Sequence, residues 1–295
     1  MDRFVFLVGT GVARGVVLAL FALSLVLIWR STRIVNFAAG AMAVVACYIA
    51  LAVTTLTGSY WLGLIAAVAS GGALGWAVER GVMRFATSAK GNDPLAGVIL
   101  AIGVVMVLQS LVGILAGPEY RPVPVPFDDR PLEVAGVPLL SPYDLFVVVV
   151  AVVLMTALRL LFSHTGLGLQ LRAAAFAPEV SRLLGVRVGW MRTLGWVLAA
   201  AVGALAALLA VPGELGLNPH AADALFIGAF AVAVIGGLDS PVGAIVAGLV
   251  VGVLMSLVTG YLGAAVAPLG VLALLVTVLL VRPAGLFASV EARRV

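Results

Sequence analysis

The sequence predicts an all-α, polytopic membrane protein with about 8–9 transmembrane or half-spanning helices and a possible internal repeat. Three observations carry that prediction. Hydrophobic residues fill 63% of the 295 positions and charged residues only 10%, more apolar surface than a water-soluble chain of this length could cover with polar groups. The apolar residues gather into runs at roughly 4–29, 34–57, 60–78, 95–116, 142–158, 193–211, 222–236, 241–258 and 265–281, several of them near the ~20 residues a helix needs to span hydrocarbon. The charged residues collect between the runs, in loops of alternating sign.

The first run, 4–29, is interrupted by Arg14 and offers no small-residue cleavage site at Trp29-Arg30. It reads as a retained span, not a signal peptide, with Arg14 facing a cavity or snorkelling to the surface. The second run holds Cys47, the only cysteine of the chain; no intrachain disulfide can form, and the thiol reads as a packing group. Segment 79–93 carries Arg80, Arg84 and Lys90. Segment 159–192 carries Arg159, Arg172, Arg182, Arg187 and Arg192 against a single acid, Glu179, and the C-terminus carries Arg282, Arg293 and Arg294. All three read as cytoplasmic, because arginine and lysine accumulate on that side.

Residues 117–141 have the opposite character, with Glu119, Asp128, Asp129 and Glu133 against Arg121 and Arg130 and with six prolines. Residues 212–223 hold Glu214 and Asp223 and no Lys or Arg. Both read as external. Two crossings then separate the first two basic segments and four separate the second from the C-terminus, which puts the N-terminus outside and the Arg30–Arg33 turn inside. The arginines sit at the ends of apolar runs instead of forming one basic face, which speaks against nucleic-acid binding. The whole chain, 1–295, reads as a single transmembrane domain with a cytoplasmic segment at about 159–192.

Two helix starts stand out. Asn36-Phe37-Ala38-Ala39-Gly40 places a good N-cap before a long apolar helix. A helix that begins inside the membrane offers free N–H groups and a positive dipole end to a carboxylate; the competing reading is an ordinary capped helix at the surface. Gly236-Gly237-Leu238-Asp239-Ser240-Pro241 offers Ser240 as a cap and Pro241 as first helical residue. Two such starts in the two halves suggest an internal repeat, although whether residues 30–45 and 236–243 cross or re-enter stays open. Asp239 reads as facing cytoplasmic water or meeting an ammonium group. From Ser240, small residues recur every four positions as Ala244, Gly248, Gly252, Ser256 and Gly260, a stripe that lets a second helix approach closely.

Within 159–192, Pro178 opens and Gly185 closes a short helix. Phe176, Val180, Leu183 and Leu184 fall on one side of it, and Ala175, Glu179 and Arg182 on another. Such a helix either rests on lipid headgroups or sits in a groove on a soluble partner. No catalytic residues and no metal ligands are expected. There is no metal-spaced His/Cys/Asp cluster, no G-x-S-x-G elbow and no G-x-x-x-x-G-K-[ST] loop, and Lys90 is the only lysine. The chain is therefore not expected to be an enzyme or to hydrolyse ATP. No acid falls firmly in the middle of a run, which argues against a proton relay.

Three stretches carry a resemblance. Arg33-Ile34-Val35-Asn36-Phe37-Ala38-Ala39-Gly40, Leu171-Arg172-Ala173 through Ser181-Arg182-Leu183-Leu184-Gly185-Val186, and Asn218-Pro219 followed by Val234 through Ala244 are similar, in order and spacing, to segments of the permease subunits of branched-chain amino acid ABC importers of the LivH type. Arg282-Pro283-Ala284-Gly285-Leu286 fits the terminal motif. Ala39 replaces the histidine of that pattern and Asp239 its central glycine, so related amino acids, amides and urea-like solutes stay open as substrates. The resemblance implies an ATP-driven importer in a bacterial inner membrane. It implies two cytoplasmic ATP-binding subunits, a second permease that is favoured to be a related sibling, and an external substrate-binding protein. No cofactor is bound by this chain, and ATP is used by the partner subunits. Asn36, Phe37 and Gly40 would line the substrate pathway; Arg172, Glu179, Arg182, Leu184 and Gly185 would meet the ATPases. The alternative is a secondary transporter or channel for a small polar solute that works without ATPases.

Overall fold

Lipid offers backbone groups no hydrogen-bonding partner, so each apolar run must close its own bonds as a helix. The computed structural model describes residues 2–84, 94–128, 130–134, 137–138, 140–213 and 216–287; Lys90, Asp129, Glu214, Arg293 and Arg294 lie outside them. The helices are α1 (Asp2–Thr32), α2 (Ala39–Thr57), α3 (Tyr60–Val78), α4 (Pro94–Ala116), α5 (Pro142–His164), α6 (Gly166–Phe176), α7 (Pro178–Leu183), α8 (Val188–Ala210), α9 (Asp223–Gly236), α10 (Pro241–Leu262) and α11 (Ala267–Val281). Among the described residues seven helices are long and apolar enough to cross a membrane, while α9 and α11 are shorter. The chain is a multi-pass, all-α membrane protein. Among the described residues of the 117–141 loop, strand structure is a two-residue antiparallel ladder, Glu133–Val134 with Val137–Pro138, and a bridge from Arg121 to Leu217.

Helix α1 is the core of the bundle. Its span is 89% buried, against 11% for that of α4, and Ala19 through Ala22 lose all contact with the surroundings. Arg14 lies on the exposed side. Counting back from Thr32 at 1.5 Å per residue puts it about 27 Å away, near the opposite edge of a ~30 Å hydrocarbon layer, where a guanidinium can snorkel.

The direction of each helix follows from its neighbours. Arg3 donates to the carbonyl of Gly260 at one end of α1, and Arg33 pairs with Asp239 at 2.6 Å at the other, so α1 and α10 are antiparallel. Gly71 faces Ala204 and Gly75 faces Trp196, which makes α3 and α8 antiparallel as well. Arg30, Arg33, Arg80, Arg192 and Arg282 thereby gather with the α6–α7 segment at one end, the basic end. Residues 117–128 and 217–220 lie at or toward the far end, where the backbones of Arg121 and Leu217 bond reciprocally at 2.9 and 2.8 Å. An aromatic group of Trp61, Phe127, Tyr143 and Phe146 also lies toward that end, as expected of a membrane–water boundary.

These directions define an inverted repeat. Helices α1, α2, α3 and α4 correspond to α8, α9, α10 and α11, each pair running in opposite senses. The seam α1–α10 is the counterpart of α3–α8, and α1 packs on α8 at the centre. The two helix starts singled out in the sequence are not each other's counterparts. Asn36, before α2, corresponds to Asn218, before α9, while Ser240, before α10, corresponds to Ser59, before α3. The chain order of the elements decides this, because each start is the second or third element of its half.

Both seams depend on glycine. A Cβ on Gly11 would lie 2.8 Å from the Cα of Val253, and one on Gly15 would lie 2.8 Å from the Gly248 carbonyl oxygen. In the other seam, a Cβ on Gly75 would lie 2.6 Å from the Trp196 carbonyl oxygen. The small-residue stripe of α10 is thus a packing seam within the subunit, directed at α1; Ser256 adds a bond to the Leu7 carbonyl at 2.7 Å. Beyond α3 a π-helical turn, Glu79–Met83, sinks Glu79 into the protein. Its carboxylate accepts from Arg192 Nε at 2.8 Å and from Thr193 Oγ1 at 2.7 Å, tying α3 to the start of α8. Gly252→Leu should force α1 and α10 apart and cost several kcal/mol, beyond the 1–3 kcal/mol typical of overpacking. Thermal melts of the detergent-solubilised protein should record that loss, whereas Gly113→Leu, where a Cβ meets nothing within 4 Å, should leave the melt unchanged.

Candidate functional site

Arg33 adopts φ +58, which ends α1 and sends the chain inward as a short non-helical stretch before α2 begins. Asn36 lies in this stretch and is 1% exposed. Its Oδ1 accepts from the Ala38 N–H at 3.0 Å, its backbone carbonyl accepts from Ala39 N–H at 3.2 Å, and its Nδ2 is 3.7 Å from Met42 Sδ. The N-cap position of α2 is occupied by Ala38, with no side-chain cap. Asn36 therefore does not cap the helix directly. It folds the turn that aims the helix, because its side chain reaches its own backbone two residues on.

The same device recurs in the second half. Asn218 Oδ1 accepts from His220 N–H at 2.7 Å, and its carbonyl from Ala221 N–H at 3.1 Å. The two starts abut: a Cβ on Gly40 would lie 3.3 Å from Phe226 Cβ and 3.4 Å from the Ala222 carbonyl oxygen. Two helix N-termini, with their positive dipole ends, therefore converge inside the protein.

Phe37 joins Phe226 and Phe230, its centroid 6.0 Å from each, and these two stack with planes 12° apart. Above this aromatic shelf stands a polar group absent from the sequence reading of the pathway. Asp223 accepts from Gln109 Nε2 at 3.0 Å and is 2.9 Å from His220 Nδ1. Asp223, Phe226, Ile227 and Phe230 fall at i, i+3, i+4 and i+7, one face of α9.

Depth distinguishes this cluster from an external loop. From Asp223 to Gly236, at 1.5 Å per residue, α9 descends about 20 Å to the basic end. Gln109 stands a similar distance along α4 from Ala96 and about 10 Å short of Ala116. Both helices place the carboxylate inside a hydrocarbon layer of ~30 Å. The sequence reading put Asp223 at the end of the external 212–223 loop; it is the first residue of α9, about 20 Å from the basic end. The available signal was length, since the run 222–236 is too short to cross and so must begin inside. Asp223 and His220 keep 47% and 67% of their side-chain surface open, and a charge so placed must face water or another subunit, not lipid.

Residues 7–281 match the model of the family described as branched-chain amino acid transport system / permease component. The chain belongs to this family. The permease is 28% identical over 297 residues to the high-affinity branched-chain amino acid transport system permease protein LivH of Salmonella typhimurium, covering 97% of this chain and 96% of that one. It is 29% identical over 298 residues to the corresponding protein BraD of Pseudomonas aeruginosa, with the same coverages. Among solved structures, PsaBC from Streptococcus pneumoniae in complex with Fab shares the fold with a TM-score of 0.50 at 11% identity, covering 92% of this chain and 90% of that one.

The basic segment of the permease forms α6 and α7. Pro178 is the first residue of α7, and Gly185, with φ +82, closes it. Val186 N–H bonds Ser181 O at 2.9 Å and Gly185 N–H bonds Arg182 O at 3.0 Å, the paired bonds of a Schellman motif. Glu179 and Arg182 pair at 2.9 Å on the surface. Ser181 faces inward, while Phe176, Leu183 and Leu184 are 83%, 87% and 79% exposed. Arg172 lies apart from them on α6, turned toward α1. Asp239, 42% of its side-chain surface open, is paired with Arg33. Asn36→Ala would leave the buried Ala38 N–H without its acceptor, a cost of about 1–3 kcal/mol. A melting temperature several degrees below wild type should follow; an unshifted melt would show that the turn holds without its side chain.

Proposed function

We propose that this permease is the membrane-spanning subunit of an ATP-driven importer for branched-chain or related amino acids, working in a bacterial inner membrane. Its power comes from two cytoplasmic ATP-binding subunits. A second permease, a related sibling, completes the membrane part, and an external substrate-binding protein delivers the solute. The chain itself is not an enzyme and holds no cofactor. The basic end is cytoplasmic, in keeping with the side on which arginine accumulates.

The observation that carries this reading is the uncovered apolar edge of α7. Phe176 at the end of α6, with Val180, Leu183 and Leu184 in and just after α7, stands exposed beside an ion pair at the arginine-rich end, on a segment opened by Pro178 and closed by Gly185. A short, rigid, amphipathic projection suits a groove on a soluble partner. Arg182 and Leu184 meet the ATPases, Glu179 holds Arg182 in place, and Gly185 sets the return of the chain. Arg172 supports α6 from behind. Arg182→Glu with Leu184→Asp should leave the chain inserted but abolish co-purification of the ATPases; full retention would mean that α7 rests on lipid.

The face of α9 that carries Asp223, Phe226 and Phe230 supports an amphiphilic, amine-bearing solute. Asp223 takes the ammonium group, the converging starts of α2 and α9 favour the carboxylate, and Phe37, Phe226 and Phe230 give the apolar side chain a wall. Asn36 and Gly40 act beneath this surface, one by folding the turn and the other by letting the helices meet. Asp223→Leu should lower uptake by the assembled transporter at least tenfold, the scale of one lost charge-assisted hydrogen bond, with ATPase subunits still bound. The His220–Asp223 pair at hydrocarbon depth is also the kind of group a proton-driven carrier uses. Reconstituted alone in liposomes, the chain should not accumulate solute under a proton or sodium gradient, and gradient-driven uptake would favour that second reading.

A further inference from the structure

Between the last turn of α1, the start of α8 and helix α6 lies a cavity of about 120 Å³. Its floor is apolar, formed by Leu27, Phe162, Leu171 and Leu198, and its rim carries Arg30, Arg33, Arg172 and Asp239. Gly195 also lines it and lets α8 approach α1, since a Cβ there would lie 3.1 Å from Ser31 Cβ.

The charges on the rim do not balance. The carboxylate of Asp239 is engaged by Arg33 at 2.6 Å. Arg172 reaches only the Gly168 carbonyl of its own helix, at 3.4 Å. Arg30, half-buried, makes no hydrogen bond or ion pair among the described residues. Two guanidinium groups thus face one cavity whose single acid among the described residues, Asp239, is bound by Arg33 and shared electrostatically with Arg30. Like charges so placed repel, and an anion between them relieves the repulsion with charge-assisted hydrogen bonds.

Position indicates which anion. Arg30 lies in the last turn of α1, where hydrocarbon gives way to headgroups. Helix α5, which flanks the cavity through Phe162, turns Val149, Val152, Val153 and Leu160 outward, so the cavity adjoins an uncovered apolar side of the bundle. An apolar floor beneath a basic rim matches a headgroup phosphate with hydrocarbon attached. We propose that this cavity seats the phosphate of an acidic phospholipid, held by Arg30 and Arg172, with the first segment of its hydrocarbon against Leu27 and Phe162. The lipid then ties α6 to α1 and α8 at the root of the α7 projection. Lipid binding stands on the cavity alone; an effect on ATPase coupling would rest on the function proposed above.

The test is lipid retention by the full chain in nanodiscs of equal phosphatidylglycerol and phosphatidylcholine, read by native mass spectrometry. Wild type should retain phosphatidylglycerol in excess. Arg30→Gln with Arg172→Gln should reduce that retention by on the order of tenfold, Arg30→Lys with Arg172→Lys should keep most of it, and Arg159→Gln, at the same end but outside the cavity, should change nothing. Equal retention of the two lipids by wild type, or undiminished retention by the double glutamine variant, would overturn the proposal. Wild type in detergent gives a reading that needs no variant. Added phosphatidylglycerol should raise its melting temperature and phosphatidylcholine should not, and an equal rise with inorganic phosphate alone would make this a soluble-anion site, not a lipid site.

Discussion

The backbone-to-backbone approach of α1 to α10, mirrored by α3 against α8, is the constraint on which the rest of the bundle depends. In lipid the apolar side chains gain nothing by leaving their surroundings, so helices associate through close packing and polar bonds. Gly11, Gly15, Gly248 and Gly252 supply that closeness in one seam, and Gly71 and Gly75 in the other. With two tight seams in place, α1 becomes enclosed on nearly all sides. The shorter partners α2 and α9 are then held with their starts inside the protein. Polar ties close the seams at the basic end, Arg33 to Asp239 for one and Arg192 to Glu79 for the other. Asp239 thereby joins the start of α10 to the turn that ends α1.

Much of this fold was legible because lipid is a uniform solvent. Apolar runs had to be helices, and charge sign had to sort the ends. The run beginning at Pro241 and the small stripe following it specified both a capped start, with Ser240 Oγ accepting from Gly243 N–H at 3.0 Å, and the face turned to a neighbour. Which neighbour was not legible. A stripe of small residues states that a helix comes close without stating which one, and α1 carries its own glycines at positions 11 and 15 within a run otherwise dominated by large apolar residues. The repeat was misread for a related reason. Capped starts look alike in sequence, and only the order of elements in each half pairs Asn36 with Asn218.

The candidate site was less legible, because its residues are ordinary in type and unusual only in depth. Asp223 and His220 follow a polar, proline-containing loop, and nothing in their identity separates them from loop residues in water. Their depth follows from the shortness of α9 and from the register of Gln109 on a helix more than a hundred positions earlier in the chain. Phe37 stood out as part of a motif, yet the rings it meets, Phe226 and Phe230, lie in a run whose composition is that of any span. Asn36 was conspicuous for the right reason, a break before a helix, but its work is on its own backbone.

The division between a rigid interior and a projecting end frames how motion could pass through the molecule. Helix α7 touches little of the bundle, whereas α6 leans on α1 and α8, and α8 is locked to α3 by glycine contact and by the Glu79–Arg192 pair. Helices α8 and α3 form one body, and α6 links α7 both to it and to α1. Helices α1 and α10 form the other body, and α2 and α9 meet where the two bodies face each other. In secondary transporters, inverted repeats change access by rocking or gating one bundle against the other. The starts of α2 and α9, kept in contact by Gly40 and flanked by Asp223, are where such rocking would alter that face of α9 most. In the two seams a glycine Cβ would meet its neighbour at 2.8 Å or less, whereas between α1 and α8 those on Gly195 and Gly203 would meet Ser31 and Ser24 at 3.1 and 3.2 Å, so the α1–α8 contact is the loosest of the three.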